Sequence, residues 1–168
     1  MLIRYYLINR PKGYYGVILY FANDGNLREY LNQNLKLSWA EKLCMATEIT
    51  QGLNSLHFHN IIHRDLHSKN ILIHQGNALV ADFGLAKKIN ESQNHDIHGI
   101  SAYTEPQFIL NGLNHRNKKH DIYSLGIVLW EISSGKLPFK DIEDQKCILS
   151  IIRETREVPV EDAPIEYK

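Results

Sequence analysis

The apolar positions of this chain change period near residue 22. Before it they form two β-rich runs, Ile3 to Ile8 and Tyr14 to Phe21, separated by Asn9-Arg10-Pro11-Lys12-Gly13, whose residue types are those of a turn. This spacing predicts two antiparallel strands at the edge of a sheet. Ala22-Asn23-Asp24-Gly25 interrupts the pattern, and helical periods follow. Asn26 with Glu29 reads as a capping box opening a short helix that faces Leu27, Tyr30 and Leu31 inward. Ser38 with Glu41 is a second capping box, and Trp39, Leu43, Ala46, Ile49, Leu53 and Leu56 continue at helical spacing as far as His57.

Farther on, Ile71 to Ile73 and Ala78 to Val80 flank His74-Gln75-Gly76-Asn77, which predicts a β-hairpin. Asp121 to Ile132 is apolar nearly all round, as a central buried helix should be, with Asp121 placed to cap it. Gly135 supplies a C-terminal stop, Pro138-Phe139 a turn, and Ile142 to Ile152 a last amphipathic helix with Ile148, Ile151 and Ile152 inward. From Val158 to Lys168, with Pro159 and Pro164, the chain reads as an extended tail.

Composition narrows the classes. With 168 residues, 43% of them apolar and 23% charged, one domain with a core of its own is expected. Formal net charge is zero with histidines neutral, and no long run of Lys or Arg appears, so nucleic acid and anionic membrane are not indicated as partners. Cys44 and Cys147, the only cysteines, are too few for a disulfide framework and lack metal-ligand spacing, which points to a reducing setting. No apolar run reaches the length of a membrane span, and Met1-Leu2-Ile3-Arg4 does not open a signal peptide. The cytoplasm, or the nucleus, is the expected compartment.

The candidate chemistry lies between the long helix and the hairpin. His63-Arg64-Asp65-Leu66-His67-Ser68-Lys69-Asn70 is followed, twelve residues after Asn70, by Asp82-Phe83-Gly84. Asp65 can take a proton from a hydroxyl, Lys69 carries a positive charge, and Asn70 and Asp82 offer the hard oxygen ligands that Mg²⁺ prefers. The hairpin would hold Asn70 and Asp82 at neighbouring ends of paired strands. Together these residues suit phosphoryl transfer.

Position by position, the stretch resembles the H-R-D-L-x-x-x-N catalytic loop and D-F-G segment of the eukaryotic protein kinases. Asp121-Ile122-Tyr123-Ser124-Leu125-Gly126 with Trp130-Glu131 matches the family's D-x-Y-S-x-G-x-x-x-W-E, and Gly99 to Gln107 stands where the family has G-x-x-x-Y-x-A-P-E. The resemblance implies an α+β, protein-kinase-like fold. Its main part is an α-helical large lobe with a small β-hairpin (residues 23–168, lacking its last helices), preceded by two strands of an incomplete small lobe and the hinge (residues 1–22). It implies ATP and Mg²⁺ as cofactors and a protein as substrate. It assigns Asp65 as the catalytic aspartate, Lys69 as the cation that neutralises the transferring phosphoryl group, and Asn70 and Asp82 as Mg²⁺ ligands. Backbone groups around Tyr20 and Ala22 would meet adenine, with Leu72 below it, while His63 would pack near Phe83 and Asp121 would anchor the catalytic loop.

Three departures qualify the match. Glu105 replaces the family's alanine, Gln107 replaces the glutamate that pairs with an arginine, and Ile100 stands where many serine/threonine kinases have threonine. His67 occupies the position where those kinases commonly place lysine, and the lysine comes at Lys69, as in the tyrosine-kinase-like group. That group mostly phosphorylates serine and threonine, so these hydroxyls are expected ahead of tyrosine. The segment from Asp82 to Gln107 is long and polar, as functional or mobile loops are. Arg64, expected to be an unpaired cation beside it, would welcome a phosphate on Ser92 or, second, on Ser101.

Neither G-x-G-x-x-G nor V-A-I-K occurs in the chain. Low activity is therefore expected of these 168 residues alone. A binding module without catalysis and a small-molecule phosphotransferase, which shares an H-x-D-x-x-x-x-N loop, are the alternative readings.

Overall fold

The computed structural model describes residues 1–3, 5–10, 14–19, 21–89, 101–110, 117–142 and 144–165; of residues 5–10, 14–19, 144 and 145 the backbone alone is described. Strands β1 (Tyr5–Arg10) and β2 (Tyr14–Leu19) pair antiparallel, with Tyr5 opposite Leu19 and Arg10 opposite Tyr14. The two predicted strands are present, but the first starts later than its apolar run. Ile3 has left it to join the hairpin: its N–H donates to Val80 O at 3.0 Å, and Val80 N–H donates to Met1 O at 2.8 Å.

Both capping boxes form. Helix α1 (Leu27–Gln33) opens with Glu29 N–H donating to Asn26 Oδ1, and α2 (Trp39–Phe58) opens with Glu41 N–H donating to Ser38 Oγ. Each box satisfies backbone donors that the first helical turn leaves over, a contribution of about 1 kcal/mol. Helix α2 turns Met45, Ile49, Gly52, Leu53 and Leu56 inward. Leu43, expected on that stripe, is exposed, because the buried face runs through Met45 and Gly52 instead. Gly52 is required there. A Cβ would lie 2.7 Å from Met1 O and 2.9 Å from Val80 Cγ2, so glycine is what lets the hairpin and the N-terminal segment close onto the helix.

Strands β3 (Ile61–Ile62), β4 (Ile71–His74), β5 (Asn77–Val80) and β6 (Lys87–Lys88) form two small antiparallel sheets. β4 pairs with β5 as the predicted hairpin, Ile71 opposite Val80, while β3 pairs with β6 in a contact that no local pattern announced. After a short helix α3 (Pro106–Leu110), helix α4 (Lys118–Ser134) runs through the centre, and α5 (Asp144–Ile152) packs against α3 and the turn of residues 101–103. Asn117, not Asp121, caps α4, its side chain accepting from Lys119 N–H at 2.8 Å. Asp121 lies one turn inside and faces the loop of residues 63–70. Gly135 ends the helix in the left-handed region (φ 71°), the conformation that a glycine C-cap supplies without steric cost.

One continuous core joins Leu27, Ile49, Leu53, Ile71, Val128 and Ile132. Burying side chains of this size stabilises by about 1.5–3 kcal/mol each. It welds α1, α2, the hairpin and α4 into the platform on which the loop of residues 63–70 rests. Cys44 and Cys147 are both free thiols. No helix among the described residues is long and apolar enough to cross a membrane.

Candidate active site

The loop of residues 63–70 is fastened from below by one carboxylate. Asp121, 1% exposed, accepts from His63 N–H at Oδ2 (2.9 Å) and from Arg64 N–H at Oδ1 (2.9 Å), and its Oδ2 also lies 2.7 Å from His57 Nε2. Two backbone donors inside the protein are thus matched by a charged acceptor, the stronger kind of hydrogen bond. The clamp lets Arg64 take a positive φ of 74° and hands the chain to Asp65. Arg64 is half-buried and takes part in an interaction. The expected unpaired cation is therefore not found: Arg64 is drawn partly inside the protein and is not without a partner.

His63 is fully buried with its ring against Phe83, centroids 5.6 Å apart. Burial pushes its pKa below the ordinary histidine value, and the neutral ring fits its surroundings. Nε2–H donates to Ala81 O at 2.9 Å, leaving Nδ1 to accept a long bond from Asp65 N–H at 3.4 Å. In this way the histidine ties the loop to the strand end that carries Asp82.

Asp65 is half-buried between two side chains. Asn70 Nδ2 donates to its backbone oxygen (2.8 Å) and to its Oδ2 (3.1 Å), and His67 Nε2 lies 3.6 Å from its Oδ1. Hydrogen bonding with His67, the largest cause, then the charge of His67 and the Asn70 bond hold the Asp65 carboxyl below the usual carboxylate range, against a desolvation that works the other way. The His67 separation is that of an ion pair rather than of a short hydrogen bond. At neutral pH Asp65 is an anion with a fixed direction. In the sequence His67 shows only as a departure from the family's lysine. Its contact with Asp65 follows from the loop's fold, in which Asn70 N–H donates back to His67 O at 2.9 Å.

Asn70 uses Nδ2 for both bonds to Asp65, which leaves Oδ1 out of them. Ala81 N–H donates to Asn70 O at 2.9 Å, so the residue preceding Asp82 is bonded directly to Asn70, as the hairpin argument required. Asp82 is exposed with a φ of 59°, and its Oδ1 accepts from Gly84 N–H at 3.2 Å. Among the described residues no cluster of three or more His, Cys, Asp or Glu could hold a metal by itself. Two oxygen donors at neighbouring strand ends are nevertheless the kind of site Mg²⁺ accepts, since it keeps waters and substrate phosphates as its other ligands.

Lys69 is exposed, one residue before Asn70 in the 3₁₀ turn Ser68–Asn70. Ala22 and Leu72 are half-buried, and the stretch just after Ala22 is stitched to the hairpin. Asp24 N–H donates to Ile73 O (3.1 Å) and Ile73 N–H to Gly25 O (2.8 Å), which brings Leu72 beneath this segment. Tyr20 and Ser92 lie outside the described residues. Ser101 begins a 3₁₀ turn, Ser101–Tyr103.

That turn is anchored by a second buried carboxylate. Glu131, 0% exposed, receives Arg28 Nη1–H at Oε2 (2.8 Å) and the Tyr103 hydroxyl at Oε1, while Ser68 Oγ lies 3.2 Å from the same hydroxyl. Burial raises the pKa of both Glu131 and Tyr103, and the Tyr103 hydroxyl is held as a donor. Arg28 was not singled out by sequence reasoning. A buried arginine on a capped helix has no local signal beyond its place in an otherwise apolar face. Glu105, which departs from the family pattern, lies 2.9 Å from His120 Nδ1, and that ring stands edge-on to Phe108 at 4.4 Å. Gln107 is exposed. The end of the segment is thus held to the first turn of α4 through residue 105 rather than through residue 107.

A family model described as "Protein kinase domain" matches residues 1–166. The chain belongs to the protein kinase family. It is 34% identical over 148 residues to mitogen-activated protein kinase kinase kinase 13 of Mus musculus and of Homo sapiens, an alignment covering 87% of this chain and 15% of each relative. It is 36% identical over 159 residues to a probable LRR receptor-like serine/threonine-protein kinase of Arabidopsis thaliana, covering 85% of this chain and 18% of that protein. These relatives accord with the tyrosine-kinase-like character of the loop, and the chain spans less than a fifth of their length. Neither a module without catalysis nor a small-molecule phosphotransferase gains support from them.

Proposed function

We propose that this chain transfers a phosphoryl group from ATP to serine or threonine hydroxyls of protein substrates, ahead of tyrosine. The observation that carries the reading is the Asp65 carboxylate, ionised and aimed by Asn70 and His67 in a loop clamped to Asp121. ATP with Mg²⁺, when bound, supplies the phosphoryl group and charge neutralisation. Asn70 Oδ1 and the Asp82 carboxylate would hold the metal, and the backbone near Tyr20 and Ala22, with Leu72 below, would hold adenine. Asp65 orients the acceptor hydroxyl and takes its proton late in the transfer, as the new oxygen–phosphorus bond forms and the bond to the leaving phosphate breaks. Lys69, exposed beside it, stabilises the charge that spreads over the moving group. Ser92 and Ser101 are the proposed phosphorylation sites of the segment that follows Asp82. No glycine-rich phosphate loop lies within these 168 residues, so weak turnover is expected when they act alone.

Asp65→Asn keeps the size of the side chain and removes its basicity. In the protein that carries this chain, turnover should fall by about 10²–10⁴-fold, the usual size of a general-base contribution, with ATP affinity largely kept. Unchanged turnover would overturn the assignment.

A further inference from the structure

Glu105, which stands where the family has alanine, is an acidic residue in a place that water hardly reaches. Its side chain is 16% exposed, and that of His120, 2.9 Å away, is 6% exposed. Burial pushes the Glu105 pKa above the ordinary carboxylate value, and the charge of Lys119 works against that shift. Taking a carboxylate out of water is unfavourable unless a partner offsets it, so two groups this enclosed are set for each other rather than for solvent. Phe108 stands edge-on to the imidazole at 4.4 Å, an arrangement that favours one orientation of the ring.

The hold beside this pair is a shared one. Ser124 Oγ lies 2.8 Å from Tyr103 O and 3.0 Å from His120 O, and a hydroxyl has a single proton for the two carbonyls. What the two contacts fasten leads to the reacting groups. Thr104 N–H closes the turn onto Ser101 O at 3.1 Å. Within that turn the Tyr103 hydroxyl lies 3.2 Å from Ser68 Oγ, and the Tyr103 ring is 5.8 Å from the ring of His67. His67 Nε2 in turn lies 3.6 Å from Asp65 Oδ1. A series of contacts therefore runs from the first turn of α4 to the carboxylate of Asp65.

We propose that Glu105 and His120 are positioning residues for phosphoryl transfer: their contact seats Tyr103 against Ser68 and His67 and thereby sets the direction of Asp65. The inference rests on the kinase reading above. Neither residue belongs to the loop that carries the chemistry, so both act through geometry. Misplacing a reacting group by about 1 Å costs on the order of 10²-fold in rate, and a partial loosening at Tyr103 costs less than that. The bonds from Glu131 and Ser124 remain when the pair is removed, which keeps the turn folded while it loses its fixed place.

The test compares the protein that carries this chain with three variants: Glu105→Met, His120→Phe and the two combined. Methionine keeps the length of the side chain without its charge, and phenylalanine keeps a ring against Phe108. Turnover and the KM for ATP are measured with dephosphorylated casein, and hydrogen–deuterium exchange is followed by mass spectrometry. Each single variant should lower kcat on the order of tenfold with the KM for ATP kept, and the double variant should be no slower than the slower single one, because both changes remove the same contact. Exchange should rise in residues 66–70 and 101–105 and stay as it was in α2 and the hairpin. Full turnover in either single variant, losses that multiply in the double one, or exchange that rises throughout overturns the proposal. If the unaltered protein transfers no phosphate, the kinase reading fails and exchange decides alone: a rise confined to those two stretches supports the seating of Tyr103, and its absence from residues 66–70 overturns it.

Discussion

Helix α4 carries two buried carboxylates, Asp121 and Glu131, ten positions and about 15 Å apart. Each fastens a different functional segment by a different kind of partner. Asp121 receives two backbone N–H groups and one imidazole from the stretch between His57 and Arg64, so it would clamp a loop of almost any side chains. Glu131 receives side chains alone, Arg28 from α1 and Tyr103 from the 3₁₀ turn, each of them irreplaceable in kind. A backbone clamp tolerates sequence change around it and holds one loop. A side-chain clamp joins three elements and fails when any one of them is altered.

The largest effect expected on this contrast comes from Arg28→Met, which leaves Glu131 without its cation in a fully buried place. Removing one partner of such a pair costs about 3–5 kcal/mol, because the remaining buried charge loses its counter-charge and keeps the Tyr103 hydroxyl. Urea unfolding should show that loss, and combining Arg28→Met with Glu131→Gln should recover part of it. A double variant no more stable than Arg28→Met would show that the pair is not what ties α1 to α4.

Asp121→Asn should cost less. The amide still accepts from one N–H but presents its own NH₂ to the other, leaving a buried donor unmatched at about 1–3 kcal/mol. Phosphate transfer should fall with it, since Arg64 N–H lies next to Asp65. Stability lost with transfer intact would separate the clamp from the chemistry.

The smallest effect concerns pH. His63 is held neutral by burial, with its folded-state pKa below the ordinary value of 6.5. Below that pH the unfolded chain binds the proton that the folded chain refuses, so stability should fall as pH drops through about 6.5 and be unaffected by this group above it. Urea midpoints at pH 7.5 and pH 5.5 measure the slope, and an uncharged replacement such as His63→Tyr should flatten it. An unchanged slope would mean that His63 is not the group responsible.

Much of the site was legible because its parts are close in the chain. Asp65, Lys69 and Asn70 lie within one loop, and the hairpin that brings Asp82 near Asn70 announces itself by two apolar runs around Gln75-Gly76. The role of Asp121 was read from its motif, although its local signal suggested a helix cap, which Asn117 provides instead. His67 was visible as a departure but not as a neighbour of Asp65. In the sequence Glu105 is only a replaced alanine; its neighbour His120 is fifteen positions away and is brought to it by the fold.

The sequence by itself determined several elements and some of their ends: the capping boxes at Asn26 and Ser38, the hairpin around Gly76, the stop at Gly135, and the spacing from Asp65 to Asp82. These depend on period, caps and turn chemistry acting over a few residues, where side-chain type alone sets the preference. Only the tertiary structure decided that Arg28 meets Glu131 from 103 positions away, that Ile3 leaves its strand for Val80, and that Glu105 meets His120. Such pairings depend on how the α1, α2 and α4 faces bury against one another. A buried charge has no periodic signature before that packing exists.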